Sequence, residues 1–221
     1  MSPLATTEVR AATIDDVDHI RRIFVDTMLI GRRPEQSIDL LDAYADVCLG
    51  WYLGPGLADA AVAVDAARGV VGYALVCSDP ESHTRWVRHR SMALAWSVSR
   101  RWGSGRLSSD SRRFYGSRVR DLRALRHSAS AAPSPVHAHL NVCRTNRTGS
   151  VALALRDHID RRCDAAGSTL WWAEMNAVEG HRQRALERLG IDVLDSVRNE
   201  TLSRLTEQPV VRLRVVRRLP R

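Results

Sequence analysis

The chain of 221 residues contains no lysine; its net charge of +8 rests on 33 arginines against 25 acidic residues. Without lysine there is no Gly-Lys-Ser/Thr phosphate loop, and no Gly-x-Gly-x-x-Gly follows a first strand, so two common nucleotide-binding signatures are excluded. The four cysteines, Cys48, Cys77, Cys143 and Cys163, are widely scattered. With no Cys-x-x-Cys, no metal site is expected. No long apolar run exists either: Leu57 to Cys77 is broken by Asp59, Asp65 and Arg68, which argues against a membrane span. The first residues lack the basic and apolar blocks of a signal peptide, so a reducing cytoplasm is the expected setting.

What is present suits one domain, or one domain with an elaboration: 44% hydrophobic and 26% charged residues is ordinary for a folded chain of this length. The basic excess favours anionic partners, coenzyme A and nucleic acid among them. High-GC coding explains arginine in place of lysine but not the excess of positive charge.

The organising stretch is Val142 to Ala152 with the helix that follows it. Val136-His-Ala-His-Leu-Asn-Val142 reads as a strand. Val151, Leu155, Ile159 and Cys163 recur every fourth residue, on one face of a helix. Between them Arg147, Thr148, Gly149 and Ser150 form a tight turn. The first N–H groups of such a helix have no partner within it, and with the helix dipole they suit a phosphate.

The segment Arg147-Thr-Gly-Ser-Val-Ala152 resembles the pyrophosphate loop Arg/Gln-x-x-Gly-x-Gly/Ala of the GCN5-related N-acetyltransferases. Arg147 and Ala152 match, Ser150 stands in place of the first glycine, and Arg144 replaces a proline often found before the loop. The order of elements agrees with the family. A strand Glu8 to Ala12 leads to a Thr13-x-x-Asp16 capping box and a helix with Val17, Ile20, Phe24 and Met28 inward. A helix over Gln36 to Leu49 follows, then a hairpin of Ala60 to Val64 with Val70 to Cys77. The fifth strand is Thr169 to Met175, followed by Asn176. The ending Leu186-Glu-Arg-Leu-Gly190 is similar to the family's close, with Gly190 stopping a helix. Asp192 to Arg198, Glu200 to Leu205 and Val210 to Leu219 alternate as strands.

The resemblance implies a single α/β (α+β) domain over residues 1–221. Its sheet would be mixed and mostly antiparallel, flanked by helices, with a helical insertion between the third and fourth strands at about 79–135. Trp86, Trp96 and Trp102 fall in the first half of the insertion. A strongly basic helix covers Arg112 to Arg126. Such a helix is what a nucleic-acid or membrane-surface contact looks like, and equally a solvated face.

The implied activity is N-acetyl transfer from acetyl-CoA, without a metal, to a primary amine that attacks the thioester directly in a ternary complex. Arg147, Thr148, Gly149, Ser150, Val151 and Ala152 would hold the pyrophosphate. The alternative for the loop is a plain helix N-cap by Thr148 or Ser150. Leu140, Asn141 and Val142 would offer backbone to the pantetheine and thioester, and Asn176 would bind the cofactor, although Asn176-Ala-Val-Glu179 also reads as a capping box. An ammonium acceptor needs a base. His137 and His139, two apart on one strand face, lead. Glu174 runs second, and Asp79 and Glu81 are further candidates. The family's tyrosine acid is replaced by Leu186, leaving water or His181 for the thiolate. The contrasting reading is a non-catalytic acyl-CoA-sensing or nucleic-acid-binding module. It expects Arg112, Arg113, Arg118, Arg120 and Arg123 in one exposed stripe, whereas an enzyme expects an acceptor cleft at His137, Glu174 or Asp79 covered by the insertion. The protein is expected to be a monomer or homodimer.

Overall fold

A computed structural model describes residues 7–128, 132–146 and 149–220. Seven strands form one sheet in the order β1 (Thr7–Ala11), β2 (Ala61–Asp65), β3 (Gly69–Cys77), β4 (His137–Val142), β5 (Leu170–Val178), β7 (Val210–Arg218) and β6 (Asp192–Arg198). Every neighbouring pair is antiparallel except β4 with β5. The mixed, mostly antiparallel sheet is thus as expected.

Thr13 and Asp16 close the first turn reciprocally: the Asp16 carboxylate accepts from the Thr13 backbone N–H at 2.8 Å and from its hydroxyl at 3.0 Å. Arg10 pairs with Asp16 at 2.7 Å and, with these bonds, holds its carboxyl down at about 2. Helix α1 (Val17–Thr27) then lays Ile20 and Ile23 on the sheet. Helix α2 (Leu41–Leu49) starts five residues later than its sequence pattern predicts, because Leu40 takes a left-handed conformation, φ 60°. The preceding Asp39 is committed elsewhere: its N–H donates to Ser111 Oγ at 2.7 Å and its carboxylate accepts from the Ser108 N–H at 2.8 Å.

The insertion is a pair of long helices, α3 (Pro80–Gly103) and α4 (Ser109–Ser128). Asp79 caps α3 by accepting from the Ser82 N–H at 3.0 Å, with Pro80 in the first turn, where its missing N–H costs nothing. Phe114, Tyr115, Leu107, Val98 and Ile38 make a small core of their own. Tyr115 donates to the Asp39 carbonyl at 2.7 Å and Trp51 Nε1 to Ser82 Oγ at 3.1 Å, fixing the insertion beside α2.

Glu200 to Leu205, read as a strand, is a helix instead: α7 (Glu200–Thr206). Asn199 caps it through the Leu202 N–H at 2.9 Å. A second cap comes from afar, since the buried Asp121 of α4 accepts from the Glu200 N–H at 3.0 Å and from Thr201 N–H and Oγ1. Short helix α6 (Gln183–Arg188) ends at Gly190, φ 64°, as its position predicts.

Helix α5 (Gly149–Ala165) crosses the opposite face of the sheet from α1 and α2, with Val151, Leu155, Ile159 and Cys163 all buried in the larger core. Gly72 permits its close approach: a Cβ there would meet the Asn141 carbonyl at 3.0 Å, Leu155 Cδ1 at 3.2 Å and Val142 Cγ2 at 3.3 Å.

Candidate acetyl-transfer site

Strand β4 is the seam. Its pairing with β5 covers only His137↔Trp172 and Ala138↔Ala173. Beyond that the two strands part, although β4 stays paired with β3 to Val142 and β5 with β7 to Val178. The N–H of Cys143 donates to Val71 on β3, and the carbonyl of Val136 accepts from Trp172 on β5. Backbone groups alternate along a strand, so those of Ala138, Leu140 and Val142 face β5. Val142 N–H is satisfied by the Asn141 side-chain oxygen at 3.0 Å. Leu140 therefore presents its N–H and carbonyl to the gap, as Glu174 and Asn176 do from β5 by the same alternation.

His137, His139 and Asn141 project to the α1–α2 face, in register with Cys77, Leu75 and Tyr73 of β3. His137 Nδ1 lies 2.6 Å from the Tyr52 hydroxyl, and its ring sits 4.5 Å from Trp172 and 6.0 Å from His83. His83 belongs to the first turn of α3, so the insertion roofs the branch point of the seam. His139 lies deeper, between Phe24 and Tyr73, with Nδ1 3.4 Å from the Tyr73 hydroxyl. Desolvation by burial drives both imidazoles down, His137 to about 3 and His139 to about 4, and lowers His83. Burial also raises Tyr52 and Tyr73, so both phenols keep their protons. At neutral pH the pair is uncharged.

Glu174 shares this face and accepts from Arg212 on β7. Asn176 lies within β5 rather than after it; its side-chain oxygen accepts from Asn199 Nδ2 at 2.9 Å. The capping-box reading of Asn176 to Glu179 fails because the strand continues to Val178 and the next helix begins at Gln183. Asn141 donates to Thr27 Oγ1 of α1, which ties β4 to the helix above it. Asp79 is spent on capping α3, Glu81 and His181 are exposed, and Leu186 is buried in the core.

At the far end of the gap, α5 begins at Gly149 with Ser150 exposed, and a side chain at Gly149 would meet nothing within 4 Å. Arg147 and Thr148 lie outside the described residues. Val151 points into the core, so only its backbone is available, and Ala152 is half-buried beside it. Arg68, from the β2–β3 turn, donates to Asn146 Oδ1 at 3.0 Å and brings a cation to this loop. The seam thus places the Leu140 backbone along one edge of the gap and the start of α5 at its end. Among the described residues no group of three His, Cys, Asp or Glu is placed to hold a metal, and no helix is long and apolar enough to cross a membrane.

Sequence reasoning missed Tyr52, His83, Trp172 and Arg68. His83 had a local signal, since Asp79-Pro80 announces a helix start directly after β3. Arg68 had none, because its contact is made across 78 positions.

The same architecture recurs in solved structures. The fold is that of the GCN5-related N-acetyltransferases. A member of that family from Kribbella flavida is 16% identical with a TM-score of 0.52, over 96% of this chain and 98% of that one. The polyamine N-acetyltransferase of Drosophila melanogaster, which forms N-acetylagmatine, is 16% identical with a TM-score of 0.53, covering 97% and 100%. The yncA protein of Salmonella typhimurium, seen with its cofactor acetyl-CoA, is 13% identical with a TM-score of 0.52, covering 97% and 94%. No family model and no curated protein matches the sequence.

Proposed function

We propose that the protein is an acetyl-CoA-dependent N-acetyltransferase acting on a primary amine, built as one domain with an insertion. The observation that carries this reading is the parting of β4 and β5 directly beyond the half-buried His137 and its partner Tyr52. The thioester substrate would lie along the β4 side of the seam, its carbonyl oxygen meeting the Leu140 N–H, the donor aimed into the gap. Its phosphates would meet the α5 N-terminus, with Arg68 and Arg147 adding charge.

The acceptor would enter from the α1–α2 side, beneath α3. Burial there lowers an amine's proton affinity by the same desolvation that acts on the histidines. His137 is the leading base and His139 shares its face. Tyr52 sets the condition. While its hydroxyl donates to Nδ1, the neutral ring carries its proton on Nε2 and acts as a donor. For Nε2 to accept the amine's proton, Nδ1 must be the protonated nitrogen and Tyr52 must turn to accept from it. Glu174 is the second candidate, and it must loosen its bond to Arg212 to serve. Transfer is then one attack: the amine nitrogen bonds to the acetyl carbon, the C–S bond breaks, and water protonates the departing thiolate.

Neighbours of this fold that act on agmatine and polyamines make those amines the first acceptors to try. The test is release of free thiol from acetyl-CoA with agmatine, spermidine, free amino acids and a peptide N-terminus in turn. Turnover with one class, slowed at least tenfold in both His137→Gln and Tyr52→Phe, supports the reading. Turnover that neither substitution alters removes His137 from the mechanism.

A further inference from the structure

We propose that the α3–α4 hairpin is a docking surface for single-stranded nucleic acid. The argument begins with where the charge lies. Residues 80–128 hold 12 of the 33 arginines and three of the 25 acids, a net +9; all other residues hold 21 arginines and 22 acids, a net −1. A coding bias would spread arginine over both parts, and it would not strip acids from one of them. The whole basic excess of the protein sits on an element that the sheet does not need.

Two of the arginines expected in an exposed stripe along α4, Arg112 and Arg118, are only half-exposed, and the Arg123 side chain lies outside the described residues. Arg118 turns inward, its guanidinium 5.5 Å from the Tyr44 ring and 3.7 Å from Asp121, and Arg112 donates to the Leu107 carbonyl at 3.0 Å. Among the described side chains, exposed charge lies on α3, the connecting turn and α4 as far as Arg120. Arg88, Arg100, Arg101, Arg106 and Arg113 are all exposed and make no ion pair among the described residues.

Aromatic side chains stand among them. Trp96 is 72% exposed, Met92, one turn before it, 57%, and Trp102 45%. An indole held in water between guanidinium groups suits a base that stacks while neighbouring phosphates are neutralised. A bilayer interface needs a continuous apolar face along a helix. Here the outward side of α3 breaks the apolar residues with Arg85, Arg88, His89 and Arg100, which favours the nucleic acid over a lipid surface. Asp39 anchors the hairpin near its turn, and Asp121 of α4 ties it to the start of α7.

The test titrates the full chain against a fluorescein-labelled oligouridylate and, separately, against phosphatidylcholine–phosphatidylglycerol vesicles. With about five phosphates neutralised, affinity for the oligonucleotide should fall about 100-fold as salt rises from about 50 to about 200 mM. Trp96→Ala should weaken binding about tenfold at every salt concentration. The triple change Arg88→Glu, Arg100→Glu and Arg101→Glu should weaken it more than tenfold and flatten the salt slope. An equal charge change on the sheet domain, Arg184→Glu, Arg188→Glu and Arg204→Glu, should leave the salt slope in place. Equal loss in both triple variants, or vesicle binding without oligonucleotide binding, overturns the proposal. Acetyl-CoA binding is not needed for any of these readouts.

Discussion

Lowering the pH from about 7.5 to 5 should destabilise this protein through its two seam histidines. His137 and His139 are held near 3 and 4 in the folded chain against 6.5 for a free side chain. The unfolded chain therefore binds more protons between those values, and stability is full above the unfolded value and lost as pH falls toward the folded one. At pH 5 each imidazole lies about 1.5 units below its unfolded pKa, a loss of about 2 kcal/mol apiece. Both residues are only half-buried, so about 3 kcal/mol for the pair is the working figure. For a chain of this length that lowers the melting temperature by about 6–12 °C. The assay is thermal melting by circular dichroism at half-unit pH steps, on the natural chain and on His137→Gln. The glutamine still accepts from Tyr52 but cannot titrate. It should remove about half of the pH dependence, while His83 and His158, lowered in the same direction, contribute equally to both proteins. A flat profile in the natural chain, or an unchanged slope in the variant, refutes the buried-neutral assignment.

Arg68→Ala should weaken acetyl-CoA binding about fivefold, the worth of one hydrogen bond that orders the loop, with an unchanged melt; calorimetry checks both. Gly72→Ala should lower stability by about 1–2 kcal/mol despite the entropy it removes from the unfolded chain. The Asn141 carbonyl at 3.0 Å cannot move as Leu155 can, and denaturant titration reads the result. Asp121→Ala should cost about 2–4 kcal/mol, because it strips the buried cap of α7 and leaves Arg118 without its partner. Hydrogen exchange should then show α7 opening first, and no change in its protection would sink that assignment.

The central strand and α5 could be read from residues alone, because Val151, Leu155, Ile159 and Cys163 mark one helical face and a strand-type run precedes them. Their contacts are local enough for pattern to decide. Glu200 to Leu205 could not be read so. Six residues fit either period, and Asp121, 79 positions away, settles the matter by capping the helix. Asn176 reads as lying beyond its strand because the apolar run ends at Met175; pairing with β7 carries β5 to Val178. The histidine pair was legible as two residues on one face. Its tyrosine partners and its neighbour His83 were not, since each arrives from an element whose position only packing fixes. Charge segregation was countable from the start, but which arginines point outward depended on Tyr44 and Asp121, which draw Arg118 in.

The most direct test of the account is isothermal titration of the protein with acetyl-CoA, beside a truncated analogue that lacks the pyrophosphate. Micromolar binding that the analogue loses and Arg147→Glu weakens is the predicted result. No heat of binding at millimolar acetyl-CoA would contradict it, and would leave the parted strands without the ligand assigned to them.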